Sequence, residues 1–237
     1  MADLLFYDKP VALNAQAHRD LKLGPGKDGF GFARKANSVL LAAVEFAEAA
    51  KEYPIVFARL ADGYAPVVLL GMRQDENLFV DADGQWRADY IPAFVRRYPF
   101  VVAEIPGSDQ MAVCIDEACP DYGAPDGEAL FDAEGKPGQR LQSIIAFLQD
   151  YQDQLARTSA LVRQLADNGL LQEMTAQFTL PSGENLRLSG LHVIDERKLQ
   201  ALSDDQALQL FRSGALAMVY FHLASLVNTR KFLGKAA

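Results

Sequence analysis

Apolar residues along the chain fall into short runs in its first half and long helical stripes in its second, and this division predicts the elements. From Val39 to Lys51, Leu40, Val44, Ala47 and Ala50 keep an approximate helical spacing that Pro54 ends. The runs Ile55-Val56-Phe57-Ala58, Pro66 to Met72 and Leu78-Phe79-Val80 read as strands, with Asp83-Gly84 turning the last of them back through Gln85-Trp86. A helix from Tyr90 to Tyr98 follows and stops at Pro99. The runs 100–103 and 111–115 read as a second hairpin about the turn 106–109.

The longest stripe runs from Gln139 to Asp167, through Leu141, Ile144, Ile145, Leu148, Tyr151, Leu155, Val162 and Leu165, and Asn168-Gly169 stops it. Alternation in 177–180 and 185–188 predicts a third hairpin. Ser203 with Gln206 forms a capping box for a helix ending at Gly214, and an apolar helix occupies 215–226. Residues 1–36 keep no sustained period and read as an irregular arm, leaving 37–237 as one compact domain. The pattern is that of an α+β protein with a central, largely antiparallel or mixed sheet and a helical C-terminal portion.

Two stretches of the chain match each other. Residues 76–98 carry Leu78-Phe79-Val80-Asp81-Ala82-Asp83-Gly84 before a helical segment, and residues 128–151 carry Leu130-Phe131-Asp132-Ala133-Glu134-Gly135 before another. The pattern predicts a repeated strand-turn-helix element. Polar residues present in only one copy, Trp86, Arg96 and Arg97, are then not required by the shared fold and become candidates for a task.

Composition narrows the classes of partner. The chain has 237 residues, half of them hydrophobic, with 31 acidic against 23 basic side chains and a net charge of −8. That field opposes nonspecific binding to nucleic acid or anionic lipid. The longest apolar stretch, 215–227, is shorter than the roughly 18–20 residues that span a bilayer. The start of the chain lacks the positive charge of an export signal, and two cysteines, Cys114 and Cys119, make no disulfide framework. A reducing cytoplasm is the expected compartment.

Several motifs match known chemistry in spelling but not in context. His18-Arg19-Asp20-Leu21-Lys22 has the letters of a kinase catalytic loop, but no nucleotide-binding lobe precedes it. Gly24, Gly26 and Gly29 have dinucleotide spacing but lead into Phe30-Gly31-Phe32 rather than a helix. Asp81-Ala82-Asp83-Gly84 opens like a calcium loop and lacks its later ligands. The histidines at 18, 192 and 222 have no zinc-ligand spacing, so no metal or cofactor is expected.

Arg96 and Arg97 carry the sharpest expectation, because paired guanidiniums grip carboxylates and phosphates in bidentate fashion. With Arg73, Trp86 and Tyr90 they are expected to line a pocket for an anionic small molecule or peptide. Asp116 and Glu117, at a strand end, are candidates for the same cleft, or for acid-base chemistry if folding brings a histidine close. Three classes follow: a nonenzymatic binding protein, an enzyme with an unrecognised acid-base site, and a purely structural assembly protein.

The chain resembles the SapC family of bacterial proteins. The resemblance rests on Leu4-Leu5-Phe6-Tyr7, the 18–22 motif, Glu52-Tyr53-Pro54-Ile55-Val56-Phe57, Gly84-Gln85-Trp86, Tyr90 to Phe100, Cys114-Ile115-Asp116 and Phe211-Arg212-Ser213-Gly214. It covers almost the whole chain. The resemblance implies a connection to a bacterial surface layer or cell envelope, with an envelope or uptake protein as partner. It transfers no catalytic residues.

Overall fold

The computed structural model describes residues 5–24, 26, 29–104, 111–179 and 183–235. The architecture is α+β, with antiparallel sheets and a C-terminal helical part. The strands divide among three sheets. β1 (Pro10–Ala12), β7 (Met111–Asp116) and β6 (Phe100–Glu104) form one, with β7 in the middle. β2 (Lys22–Leu23) pairs with β8 (Glu128–Ala129). The largest has the order β3 (Ser38–Leu40), β5 (Gly63–Leu69), β4 (Ile55–Leu60), β10 (Asn185–Ile194) and β9 (Leu171–Thr179).

Described parts of the first 36 residues are extended and paired into sheets. β1 and β2 lie in them, and each adds an edge to a sheet whose other strands come about 100 residues later in the chain. Three-residue and two-residue strands are too short to register as alternation in a sequence. Val39 and Leu40, read as helix start, are extended because they pair with Val68 and Val67. The helix there is reduced to a 3₁₀ turn and α1 (Phe46–Ala49). The hairpin turn expected at 106–109 and part of that expected at 181–184 lie outside the described residues, but the strands flanking each are paired antiparallel.

α3 (Gln139–Asp167) has the length its stripe predicts. Asn168-Gly169 closes it with paired bonds, Gly169 N–H to Ala166 and Leu170 N–H to Leu165, at a glycine φ of 67° that a side chain would oppose. At 1.5 Å per residue the helix is roughly 43 Å long, and it serves two cores. Leu141 and Leu148 near its start pack with Leu21, Leu23, Phe100, Ile115 and Leu130. Tyr151, Val162 and Leu165 further along join the main core beneath the five-stranded sheet.

The C-terminal helices are α4 (Glu196–Gln200), α5 (Asp204–Ser213), α6 (Ala215–Ser225) and α7 (Thr229–Lys235). Ser203 and Gln206 exchange the bonds of a capping box at the start of α5. α6, the 3₁₀ turn after it and α7 dock through polar side chains three residues apart. His222 bonds Ile55 and Ile194, Ser225 accepts the Ile55 N–H, Asn228 donates to the Ala50 and Tyr53 carbonyls, and Lys231 donates to Lys51. Their period matches a helix ridge, so one face satisfies the backbone of residues 50–55 where those groups are not paired in the sheet.

The two matched stretches share one turn. Asp81 N–H bonds Gln85 and Asp132 N–H bonds Lys136, at 3.0 and 2.9 Å, and each aspartate takes a second N–H on its own Oδ1 at 2.8 Å. Gly84 and Gly135 turn the chain at φ 78° and 80°. Arg87 N–H to Phe79 and Gly138 N–H to Leu130 close both. After that the stretches differ: α2 (Ala93–Arg96) is a single turn between Pro92 and Pro99, whereas α3 continues for 29 residues.

Candidate functional site: a cleft at Arg96 and Arg140

α2 is short because its flanking prolines bound it, and it is placed by acids distant in sequence. Glu45, buried, accepts the Ala93 N–H and the Tyr90 hydroxyl, both at 2.7 Å, and Glu52 accepts the N–H groups of Asp89 and Tyr90. A carboxylate on the first N–H of a helix satisfies a donor that has no partner inside the helix. The turn so fixed presents Arg96 and Arg97 side by side at the seam between the two cores.

Two cavities meet there, of about 550 and 670 Å³, and both are lined by Leu23, Arg96, Tyr98, Pro99 and Arg140. The smaller lobe runs past Phe100, Ile144 and Phe147 to the first turn of α3, whose N-cap, Gly138, offers no side-chain cap. The larger lobe runs under Phe6, Phe30 and Phe32. Their volumes are those of small-molecule sites.

Arg96 is exposed, its Nε donating to the Ile91 carbonyl at 2.9 Å and its guanidinium 5.3 Å from the Phe147 ring. Among the described residues it makes no ion pair. Arg140 donates to the Leu23 and Gly24 carbonyls and stands 3.7 Å from Glu128. Arg97 lines only the smaller lobe, and its guanidinium sits 3.9 Å over Phe94, near the rings of Tyr7 and Tyr151. Its Nε is buried without a hydrogen bond. That is a cation held by aromatic faces rather than a hand held out to solvent.

The other residues expected in the pocket lie elsewhere. Trp86 donates to the Tyr53 hydroxyl at 2.8 Å and packs edge-on against Phe30, one layer behind the larger lobe. Tyr90 stays beside Arg96 with its hydroxyl on Glu45, and burial, then the Glu45 charge, push its phenol well above the ordinary range. Arg73 is engaged by Glu76 and Glu184, each at 2.7 Å, in a separate depression.

Asp116 is fully buried, accepting the Lys9 N–H at 2.8 Å and the Tyr98 hydroxyl at 3.1 Å, so it anchors the N-terminal segment rather than facing a cleft. Glu117 pairs with Lys9 at 2.6 Å, which holds its carboxyl below the usual range, and accepts the Tyr122 hydroxyl.

The acid-base alternative required one of these acids and a histidine to share the cavity with Arg96, and the three histidines line neither lobe. His18 bonds Asn14 locally, His192 packs edge-on against Tyr64, and His222 is fully buried. Both cysteines are buried, and burial raises their thiols, the condition opposite to an activated nucleophile.

Four lining residues escaped the sequence reading. Arg140 lies at the start of the long helical stripe, where its spacing gives it no mark of its own. Phe30, Phe32 and Tyr98 sat beside motifs and were passed over as flanking residues. The glycines near them serve close packing: a side chain on Gly29, at φ 55°, would come within 2.6 Å of the Gly84 carbonyl oxygen.

A family comparison agrees with the landmarks. The SapC family model matches residues 13–232, nearly the entire chain. The chain belongs to the SapC family. No curated protein and no solved structure matches it significantly. The matched span of this SapC-family chain takes in every residue of the cleft except Phe6 and Asp8. Among the described residues no group of three or more histidines, cysteines and acids is arranged to hold a metal ion, and no single helix is long and apolar enough to cross a membrane.

Proposed function

We propose that this SapC-family chain is a nonenzymatic binding protein whose cleft takes an anionic small molecule or the carboxylate of a peptide. It would serve as an accessory factor to envelope or uptake machinery. The observation that carries the reading is the state of Arg96: exposed, on the wall common to two cavities, and without an acidic partner among the described residues. In a chain of net charge −8, a cation left unpaired at a cavity junction makes a local inversion of the field. Arg140 and the start of α3 add to the same potential.

The test is calorimetric titration and thermal shift with acetate, citrate, inorganic phosphate and an acidic peptide, on the wild type and Arg96→Ala. Ligand bound to the native state raises the melting temperature by mass action. The expected result is salt-sensitive stabilisation by at least one anion, lost in the variant at an unchanged unliganded melting temperature. Equal binding by the two proteins removes Arg96 and the cleft from the reading.

A further inference from the structure

The distribution of charge and aromatic surface along the cleft narrows the ligand class, and this step rests on the anion-binding reading above. Cations occur where the two lobes join, at Arg96 and Arg140, and Arg97 lines the smaller lobe with its guanidinium over Phe94. Acid lines both lobes too: Glu128, 3.7 Å from Arg140, in the smaller and Asp8 and Asp121 in the larger. A ligand with charges at both ends, or a compact polyanion, would meet repulsion from one of these. One negative group seated on Arg96, which makes no ion pair among the described residues, meets the least.

The remaining surface of the larger lobe is aromatic. Phe32 stacks on Tyr98 with ring centroids 4.0 Å apart and an interplanar angle of 21°, and Phe30 continues the row 6.2 Å from Phe32. All three rings are only partly buried and all three line the lobe. Tyr98 donates its hydroxyl to Asp116, so its ring rather than its polar end is available. In the smaller lobe the Phe147 ring is already beneath Arg96. Flat apolar groups stack favourably on such a row.

We infer that the ligand is a monocarboxylate with an aromatic body, its anionic group between Arg96 and Arg140 and its body along Phe30, Phe32 and Tyr98. Calorimetric titration of the full chain with 2-naphthoate, acetate and inorganic phosphate tests this, on the wild type, Arg96→Ala and Phe32→Ala. Naphthoate is expected to bind at least about tenfold more tightly than acetate or phosphate. Arg96→Ala should abolish binding of all three. Phe32→Ala should remove most of the advantage of naphthoate while leaving acetate binding, and Phe30→Leu provides the same comparison if Phe32→Ala lowers the melting temperature.

Acetate or phosphate binding as tightly as naphthoate overturns the ligand class and leaves the anion cleft standing. Binding that ignores Arg96, or no binding by any probe, overturns both.

Discussion

His222 donates from Nδ1 to the Ile55 carbonyl at 2.7 Å while its Nε2 accepts the Ile194 N–H at 3.1 Å. These two bonds fix the neutral Nδ1–H tautomer and tie α6 to β4 and β10. A second proton on Nε2 would face an N–H donor in a fully buried site.

A pH dependence follows. Burial lowers the folded pKa of His222 to about 4 from an ordinary 6.5, partly offset by the bond to Ile55. Because the unfolded chain binds this proton more readily, the contribution is intact above pH 6.5, declines as pH falls toward 4 and levels off below. The loss over that window is about 3 kcal/mol. Urea denaturation at pH 7, 5.5 and 4 for the wild type and His222→Gln measures it: the variant should be less stable at pH 7 and should show a shallower decline. Parallel pH profiles would show that His222 is not the titrating group.

Glu45 governs the placement of the cleft. It accepts three donors, Ala42 N–H from its own segment and the Tyr90 hydroxyl and Ala93 N–H from the segment that enters α2. Glu45→Ala leaves buried donors unsatisfied and should cost about 3 kcal/mol. Glu45→Gln keeps one acceptor oxygen and should fall between the wild type and the alanine variant. Since Ala93 begins the turn that carries Arg96, anion binding measured at a temperature where Glu45→Ala remains folded should also weaken. A stability loss without any change in binding would separate α2 from the site.

What the sequence disclosed and what it withheld differ by range. α3, the capping box at Ser203 and Gln206, and the matched turns at 81–84 and 132–135 are local, and each is legible because residues within a few positions determine it. Glu45 acting on Ala93, Trp86 acting on Tyr53, and the pairing of β1 with β7 depend on contacts 33 to 106 residues apart. Nothing in a periodicity registers those. Arg96 is legible because the matched stretch carries Gln149-Asp150 in place of Arg96-Arg97, whereas the aromatic row is not, because Phe30 and Phe32 meet Tyr98 only through the fold.

The matched turns allow a last prediction, because they share a geometry and differ in what rests on them. Arg34 donates to the Ala82 carbonyl at 2.6 Å, and Arg19 donates to the Ala133 carbonyl at the corresponding place in the second turn. Arg19→Ala and Arg34→Ala should therefore cost similar amounts, about 0.5–1.5 kcal/mol each. The glycines should not behave alike. A side chain on Gly135 meets nothing within 4 Å, so Gly135→Ala carries only the left-handed backbone cost of about 1 kcal/mol. Gly84→Ala strains a residue whose carbonyl accepts the Phe30 N–H at 2.8 Å and lies against Gly29. It should lower stability further and weaken binding of an aromatic carboxylate by displacing Phe30, while Gly135→Ala leaves binding unchanged. Melting curves with and without 2-naphthoate for the two variants decide the matter; equal loss of binding in both would mean that the first turn has no special connection to the cleft.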